Sequence, residues 1–165
     1  MKAALLIIDM QKAFFNNRST FPVLHSAVEY INAAVDLFND HDLPVFTIRD
    51  EDAKEKGERG YEVIDEIKKE IANEYSIEKP ECNAFWGTYL EEDLKKLGVD
   101  FVVITGFAAE ACVNYTYNGA RERGFHAVLL KNGIVSYTER YVRFVLETSN
   151  VISYFTLEYL LHDRS

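Results

Sequence analysis

Apolar runs and amphipathic stretches alternate along the whole 165-residue chain. The first apolar run, Ala3–Ile8, is short and continuous, which is typical of a parallel strand that is buried on both faces. The stretch 23–39 that follows it carries apolar side chains at helical spacing. Because strand-like and helical stretches keep alternating, the pattern predicts an α/β domain built on a mostly parallel sheet.

The predicted elements cover most of the chain. We predict strands at 3–8, 44–48, 75–78, 101–105, 125–130 and 151–154, and helices at 23–39, 61–74, 89–97, 109–123, 138–147 and the C-terminus. No repeat, low-complexity tract or linker interrupts them, so we expect residues 1–165 to form a single domain. The charged segment 50–59 is interpreted as a solvated loop or, because it directly follows a strand, as a mobile flap over a site.

Composition excludes several classes of protein. The net charge of −9 disfavours binding to nucleic acids and to anionic membranes, which both attract basic surfaces. Two cysteines are too few for a secreted disulfide scaffold of this length. The first apolar run is too short for a membrane span or a signal peptide. We therefore expect a cytoplasmic protein with no nucleic-acid or membrane partner.

Three chemically distinct side chains lie where predicted strands end. Asp9 follows the first strand, Lys79 the third, and Cys112 the short segment after the fourth. Sites in parallel α/β sheets form at this edge. A helix start and a nearby ammonium would favour the Cys112 thiolate, and Asp9 could accept the thiol proton. Taken singly, the three could be a cap, a surface charge and a core thiol; together they predict nucleophilic catalysis.

Three segments of the sequence resemble the isochorismatase-like cysteine hydrolases, a family that includes nicotinamidases and N-carbamoyl amide hydrolases. They are LIIDMQKAF at 6–14, KPECNAFWGTYL at 79–90 and VITGFAAEACV at 103–113. The resemblance implies a three-layer α/β/α, doubly wound, Rossmann-like fold with a mostly parallel sheet of about six strands. It also implies a homodimer or homotetramer, to which the aromatic-rich stretch 141–161 could contribute an interface.

The same resemblance assigns roles to individual residues. It places a catalytic triad on Asp9, Lys79 and Cys112. It implies a cis peptide before the cysteine, at Phe107–Ala108 in this chain. By the same analogy, the backbone N–H groups of Ala108 and Cys112 form the oxyanion hole.

The chain departs from nicotinamidases at the segment after the second strand. The resemblance would require an aspartate and histidines there as metal ligands, but residues 49–53 read Arg-Asp-Glu-Asp-Ala. The four histidines lie in predicted helices, at a helix end or at a strand start: His25, His41, His126 and His162. Binding of Mg²⁺ or Ca²⁺ by acids alone, at Asp50, Glu51 and Asp52, is the alternative. We predict no catalytic metal and no cofactor, and we do not expect nicotinamide to be the substrate.

These observations predict a metal-independent hydrolase that cleaves an amide or carbamoyl-type C–N bond of a small molecule through a Cys thioester. The alternatives are isochorismatase-like cleavage of a vinyl ether and a non-catalytic binding or assembly module on the same fold. Cys82 is interpreted as a half-buried thiol or as a redox partner of Cys112. Candidate substrate contacts, any of which could instead pack in the core or pair with an acid, are Phe14, Phe15, Arg49, Phe85, Trp86, Phe107 and Tyr137.

Overall fold

Strand β1 (Ala3–Ile8) forms the centre of the fold, and all its residues are buried. Successive side chains of a strand point to opposite faces of the sheet. Accordingly, Leu5 and Ile7 join one apolar cluster, whereas Leu6 and Ile8 join the other. The continuous apolar run in the sequence therefore reflects a strand covered on both sides, as predicted.

A computed structural model describes residues 1–162 and contains a six-stranded sheet in the order β3-β2-β1-β4-β5-β6. All neighbouring strands are parallel. The remaining strands are β2 (Val45–Asp50), β3 (Glu74–Lys79), β4 (Phe101–Phe107), β5 (His126–Val135) and β6 (Val151–Ile152). The helices are α1 (Leu24–Asp40), α2 (Glu58–Tyr61), α3 (Leu90–Lys96), α4 (Asn114–Glu122), α5 (Glu139–Glu147) and α6 (Tyr154–His162).

Helices cover both faces of this sheet. Side chains of α1 and α6 pack into the apolar cluster on one face. Side chains of α3, α4 and α5 pack into the cluster on the other face. The predicted three-layer, doubly wound α/β/α fold is confirmed. Strand order reverses between β1 and β4, which is where sites form in folds of this type.

The predicted helix at 61–74 is wrong. Only the single turn α2 is helical there, and residues 62–73 are irregular. Apolar side chains at the spacing that suggested a helix do pack in the core, since Ile64 and Ile67 are buried. The backbone, however, bonds elsewhere: the Ile64 N–H donates to the Met10 carbonyl at 2.8 Å.

Two side chains of α1 take up further backbone groups of this irregular segment. Asn32 Nδ2 donates to the Glu66 carbonyl at 2.8 Å, and Asn32 Oδ1 accepts from the Lys68 N–H at 2.8 Å. Asn39 binds the Glu70 carbonyl and the Ala72 N–H in the same way. These side-chain amides take the place of the backbone hydrogen bonds that a helix would have made.

Several large aromatic side chains in the C-terminal part of the chain are exposed: Tyr141, Phe144, Phe155 and Tyr159. The expected subunit interface in this region stays a prediction. Within residues 1–162, no helix is both long and apolar enough to cross a bilayer.

A substitution of Gly106 tests how closely the backbones of β1 and β4 must approach each other. Its φ is +107°, and a Cβ added there would lie 2.1 Å from the Ile8 carbonyl oxygen. We expect Gly106→Ala to lower the free energy of unfolding by roughly 3 kcal/mol or more, because backbone atoms cannot move aside. Urea denaturation followed by circular dichroism measures this change.

The matched control is Gly98→Ala. Gly98 also has a positive φ, of +70°, but a Cβ there meets nothing within 4 Å. This variant should lose only the conformational cost of about 1 kcal/mol. Equal losses in the two variants would contradict the close approach of the strands.

Candidate active site

The Lys79 ammonium lies at the centre of a buried polar cluster. Its Nζ is 3.0 Å from Asp9 Oδ2, 3.1 Å from Asp50 Oδ2 and 3.4 Å from Cys112 Sγ. The side chains of Lys79 and Asp9 are 0% and 2% exposed. A buried charge is tolerated only when it is closely paired. The structure thus brings together the acid, the cation and the thiol that the sequence singled out.

Strand register explains this convergence. Asp50 and Lys79 are partners in the β2–β3 ladder, at the carboxyl ends of both strands. Asp9 follows β1, the next strand along, and its N–H donates to the Ile48 carbonyl at 2.9 Å. Cys112 follows β4 on the other side of β1. All four side chains therefore meet at one edge of the sheet, where the strand order reverses.

Asp9 has a backbone conformation that is unusual for a residue other than glycine. Its φ is +51°, in the left-handed region that aspartate tolerates better than most residues. One carboxylate oxygen, Oδ2, contacts Lys79. The other, Oδ1, is buried and has no hydrogen-bond partner in the described part of the chain. Asp9 therefore keeps one oxygen available for proton transfer.

Cys112 lies in a distorted turn, Ala109–Val113, that precedes α4. We predicted one helix over 109–123, but the φ and ψ of Ala111 (−113°, −105°) are not helical. The N–H groups of Ala111 and Val113 both donate to the Ala108 carbonyl. The predicted cis peptide at Phe107–Ala108 is confirmed. The oxyanion role of the Ala108 and Cys112 N–H groups stays a prediction.

Thr116 links the chain segments that follow Lys79 and Cys112. Its buried Oγ1, one turn after Cys112, accepts a hydrogen bond from the Ala84 N–H at 3.0 Å. Gly119 lies against the Asn83 side chain so closely that an added Cβ would be 2.6 Å from the amide. Sequence reasoning assigned no role to either contact, since both join segments more than thirty residues apart.

The cluster perturbs the acidity of its members. Burial raises the pKa of Asp9 to about 6, although Lys79 opposes the rise. Burial, and then the Asp9 carboxylate, raise the pKa of the Cys112 thiol, and Lys79 offsets only part of this. Burial would lower the pKa of Lys79, but its anionic neighbours outweigh burial and raise it.

The shift of Cys112 runs against the sequence-based expectation. A helix start and a lysine were expected to favour the thiolate. In the folded protein, burial and Asp9 dominate, so the pKa of Cys112 is raised. The fold therefore favours the protonated thiol of Cys112 over its thiolate.

A divalent cation does not fit this cluster. Asp9, Asp50 and Cys112 form a group of potential metal ligands whose donor atoms all lie within 4.8 Å of one another. The Lys79 ammonium, however, contacts a donor atom of each of the three. A metal ion bound to these donor atoms would lie beside the positive charge of Lys79 and be repelled by it. The cation of this site is therefore the lysine itself.

Aromatic side chains surround Phe107, the residue before the cis peptide. The rings of Phe14, Phe15, Phe21 and Tyr137 lie with centroids 5.2 to 5.7 Å from that of Phe107. Phe14 is half-buried and Tyr137 is exposed, so this ring cluster reaches the surface. Sequence reasoning missed Phe21, although it belongs to the same aromatic-rich stretch as Phe14 and Phe15.

The other candidate substrate contacts lie elsewhere. Phe85 stacks on Phe125, with ring centroids 5.9 Å apart, and Trp86 is 63% exposed. Arg49 precedes Asp50 in β2, so its side chain points to the opposite face of the sheet. There it donates to Ser76 Oγ at 2.7 Å. The structure does not bring these residues into the polar cluster.

The segment 50–59, the cysteine Cys82 and the four histidines are also described by the structure. The segment 50–59 forms a helical turn, Glu51–Lys56, that leads through Gly57 into α2, and a flap role is untested. Cys82 is exposed, so the interpretation of a half-buried thiol is wrong. Cys112 is buried, both cysteines are free thiols, and a redox pairing of the two stays a prediction. The four histidines lie outside the cluster; His25 pairs with Glu29 on α1, and His41 packs on His162.

Comparison with known proteins places the chain in a family. The isochorismatase domain family matches residues 3–155. An uncharacterized isochorismatase family protein of Bacillus subtilis, YrdC, is 31% identical over 144 residues, which cover 84% of this chain and 76% of that protein. Nicotinamidase 3 of Arabidopsis thaliana is 27% identical, covering 83% of this chain and 75% of that protein.

Solved structures agree with this match. The crystal structure of N-carbamoylsarcosine amidase from Thermoplasma acidophilum superposes with a TM-score of 0.76 and 27% identity. The superposition covers 93% of this chain and 96% of that one. The family match spans nearly the whole sheet and includes Asp9, Lys79 and Cys112. The chain therefore belongs to the isochorismatase family of hydrolases.

Proposed function

We propose that this protein is a metal-independent cysteine hydrolase that cleaves an amide or carbamoyl-type C–N bond of a small molecule. The observation that carries the proposal is the buried contact of one ammonium with both an acid and a thiol. Lys79 Nζ lies 3.0 Å from Asp9 Oδ2 and 3.4 Å from Cys112 Sγ. A nucleophile, a base and a fixed positive charge within hydrogen-bond distance are the parts that acyl transfer to a thiol requires.

The proposed reaction has two halves. Asp9 takes the proton of Cys112, and the thiolate attacks the carbonyl carbon while backbone N–H groups hold the developing oxyanion. The C–N bond then breaks, and Asp9 passes its proton to the departing nitrogen, which leaves a thioester on Cys112. In the second half, Asp9 takes a proton from water and the hydroxide attacks the thioester carbon. The C–S bond then breaks, the carboxylic acid leaves, and Asp9 returns its proton to the Cys112 thiolate.

The acidities in the cluster fit this division of roles. With its pKa raised to about 6, Asp9 is ionised near neutral pH yet basic enough to accept a proton. Lys79 stays charged, and it faces whichever of Asp9 and Cys112 is anionic at each step. It therefore stabilises the negative charge as that charge moves from oxygen to sulfur.

The ring cluster and the relatives support a small substrate. Phe107 directly precedes the cis peptide and the turn that carries Cys112, and the rings packed around it would suit an apolar or planar group. The similarity to an N-carbamoylsarcosine amidase favours a carbamoyl-type amide. The similarity to a nicotinamidase also favours amide cleavage, but the absence of histidines near Asp50 argues against nicotinamide itself.

We expect Cys112→Ala and Asp9→Asn to lower turnover by about a thousandfold or more, because each removes a group that makes or breaks bonds. Release of ammonia from a panel of small amides, ureides and carbamoyl amines identifies the substrate and measures this loss. Cys82→Ala is the matched control, since it removes the other, exposed thiol. It should keep turnover near the wild-type level.

The thioester itself can be observed. Rapid acid quenching of the working enzyme, followed by mass spectrometry, should find the acyl group on the peptide that contains Cys112. Near-normal turnover by Cys112→Ala would rule out the covalent route and favour cleavage of a vinyl ether or another reaction. No turnover on the whole panel, together with tight binding of one of its members, would favour a binding module.

The pH dependence follows from Asp9. The reaction needs its carboxylate, so kcat/KM should be constant above the pKa of Asp9 and fall about tenfold per pH unit below pH 6 or so. A profile of kcat/KM between pH 4.5 and 8 measures this. An acid limb near pH 4, where a solvated aspartate titrates, would contradict the role given to the buried carboxylate.

A further inference from the structure

Asp50, the third partner of Lys79, exchanges no proton and forms no bond in the proposed reaction. Asp50 Oδ2 lies 3.1 Å from Lys79 Nζ, almost as close as Asp9 Oδ2 at 3.0 Å. The Asp50 side chain is 18% exposed, whereas that of Asp9 is 2% exposed. The ammonium thus bridges one enclosed carboxylate and one that reaches towards solvent.

Asp50 is held in place by a buried side chain from the loop after β1. Gln11 is fully buried, and its Oε1 accepts the Asp50 N–H at 2.8 Å. Its Nε2 donates to the carbonyls of Asp50 and Tyr61, each at 3.1 Å. All of these contacts are with backbone groups, so Gln11 fixes the position of the chain at Asp50 whatever side chain stands there.

The Asp50 carboxylate is also oriented. Its Oδ1 accepts the Asp52 N–H at 2.9 Å and caps the helical turn that follows β2. This leaves Oδ2 directed at Lys79. The cap holds one oxygen of Asp50, and Gln11 holds its backbone. The Asp50 side chain therefore loses little further conformational freedom when it binds the Lys79 ammonium.

The proposed reaction makes such a partner necessary. After the thiolate has bonded to the carbonyl carbon and before Asp9 gives up its proton, neither Asp9 nor Cys112 presents a negative charge to Lys79. An unpaired buried ammonium would be strongly destabilised or would turn away. A carboxylate that takes no part in the proton transfer keeps the ammonium paired in every step.

We propose that Asp50 is a positioning residue, which holds the Lys79 ammonium between Asp9 and Cys112 while Asp9 gains and loses its proton. This inference rests on the proposed function for its catalytic meaning. The contact itself, however, has a consequence in the resting protein that can be measured without any substrate.

That consequence concerns the acidity of Asp9. The charged or titratable groups that face Asp9 are Lys79 from β3, Cys112 from the turn after β4 and Asp50 from β2. Burial is the main cause of the raised pKa of Asp9, Lys79 opposes it, and the negative charge of Asp50 adds to it. Without the charge of Asp50, Asp9 is the one remaining carboxylate partner of Lys79 among the described residues, so the pKa of Asp9 should fall.

The variant to test is Asp50→Asn. Asparagine has nearly the same shape and caps helices about as well as aspartate, so its Oδ1 can still accept the Asp52 N–H. The matched control is Asp52→Asn, which removes an exposed charge two residues away and keeps the same backbone donor. Both variants change the net charge of the chain by one unit.

Carbon-13 NMR of aspartate-labelled protein follows the Asp9 carboxyl through a pH titration, with Asp9→Asn used to assign the signal. The wild-type midpoint should lie at about 6. Asp50→Asn should lower it by about half a pH unit or more, and Asp52→Asn should leave it unchanged. An unchanged midpoint in Asp50→Asn, or an equal shift in both variants, overturns the proposal.

Kinetics supply the second readout. With Asp50→Asn, the acid limb of the kcat/KM profile should move to lower pH, and kcat should fall about tenfold with little change in KM. A loss confined to KM, with the acid limb unmoved, means that Asp50 contacts substrate and overturns the positioning role. If no substrate is turned over but the NMR midpoint shifts as expected, the proposed function fails and the Asp50–Lys79 contact stands.

Discussion

Burying one ammonium group organises this end of the molecule. A lysine with no exposed side-chain surface is stable only if the fold supplies negative partners at hydrogen-bond distance, because transfer of a charge out of water costs several kcal/mol. Here the neighbouring strands β1, β2 and β3 supply them, since Asp9, Asp50 and Lys79 all stand at their carboxyl ends. The strand order and the charge cluster therefore depend on each other.

The same cluster also affects the protonation of Cys112, the nucleophile of the proposed function. A thiol that is buried beside a carboxylate is held mainly in its protonated form, and oxidation and alkylation proceed through the thiolate. Cys82, by contrast, is exposed to solvent.

Sequence reasoning succeeded where a short stretch decides the outcome. The strand-like stretches that precede Asp9 and Lys79 located two strands and the edge of the sheet, and the family resemblance of the segment before Cys112 implied its cis peptide, although the distorted turn at Ala109–Val113 was missed. It failed where distant segments decide. The irregular backbone at 62–73 depends on amides of α1, and the hold of Gln11 on Asp50 joins residues 39 positions apart. No local pattern encodes such contacts.

The two amides of α1 also affect how the protein can change over evolutionary time. Asn32 and Asn39 stand seven residues apart, about two helical turns, so they share one side of the helix and grip the segment 62–73 at two points. Contacts with α1, rather than the helix or strand propensity of its own residues, determine the backbone path of that segment. Substitutions at its exposed positions therefore need not preserve a helix or strand propensity, as long as the hydrogen bonds to Asn32 and Asn39 remain.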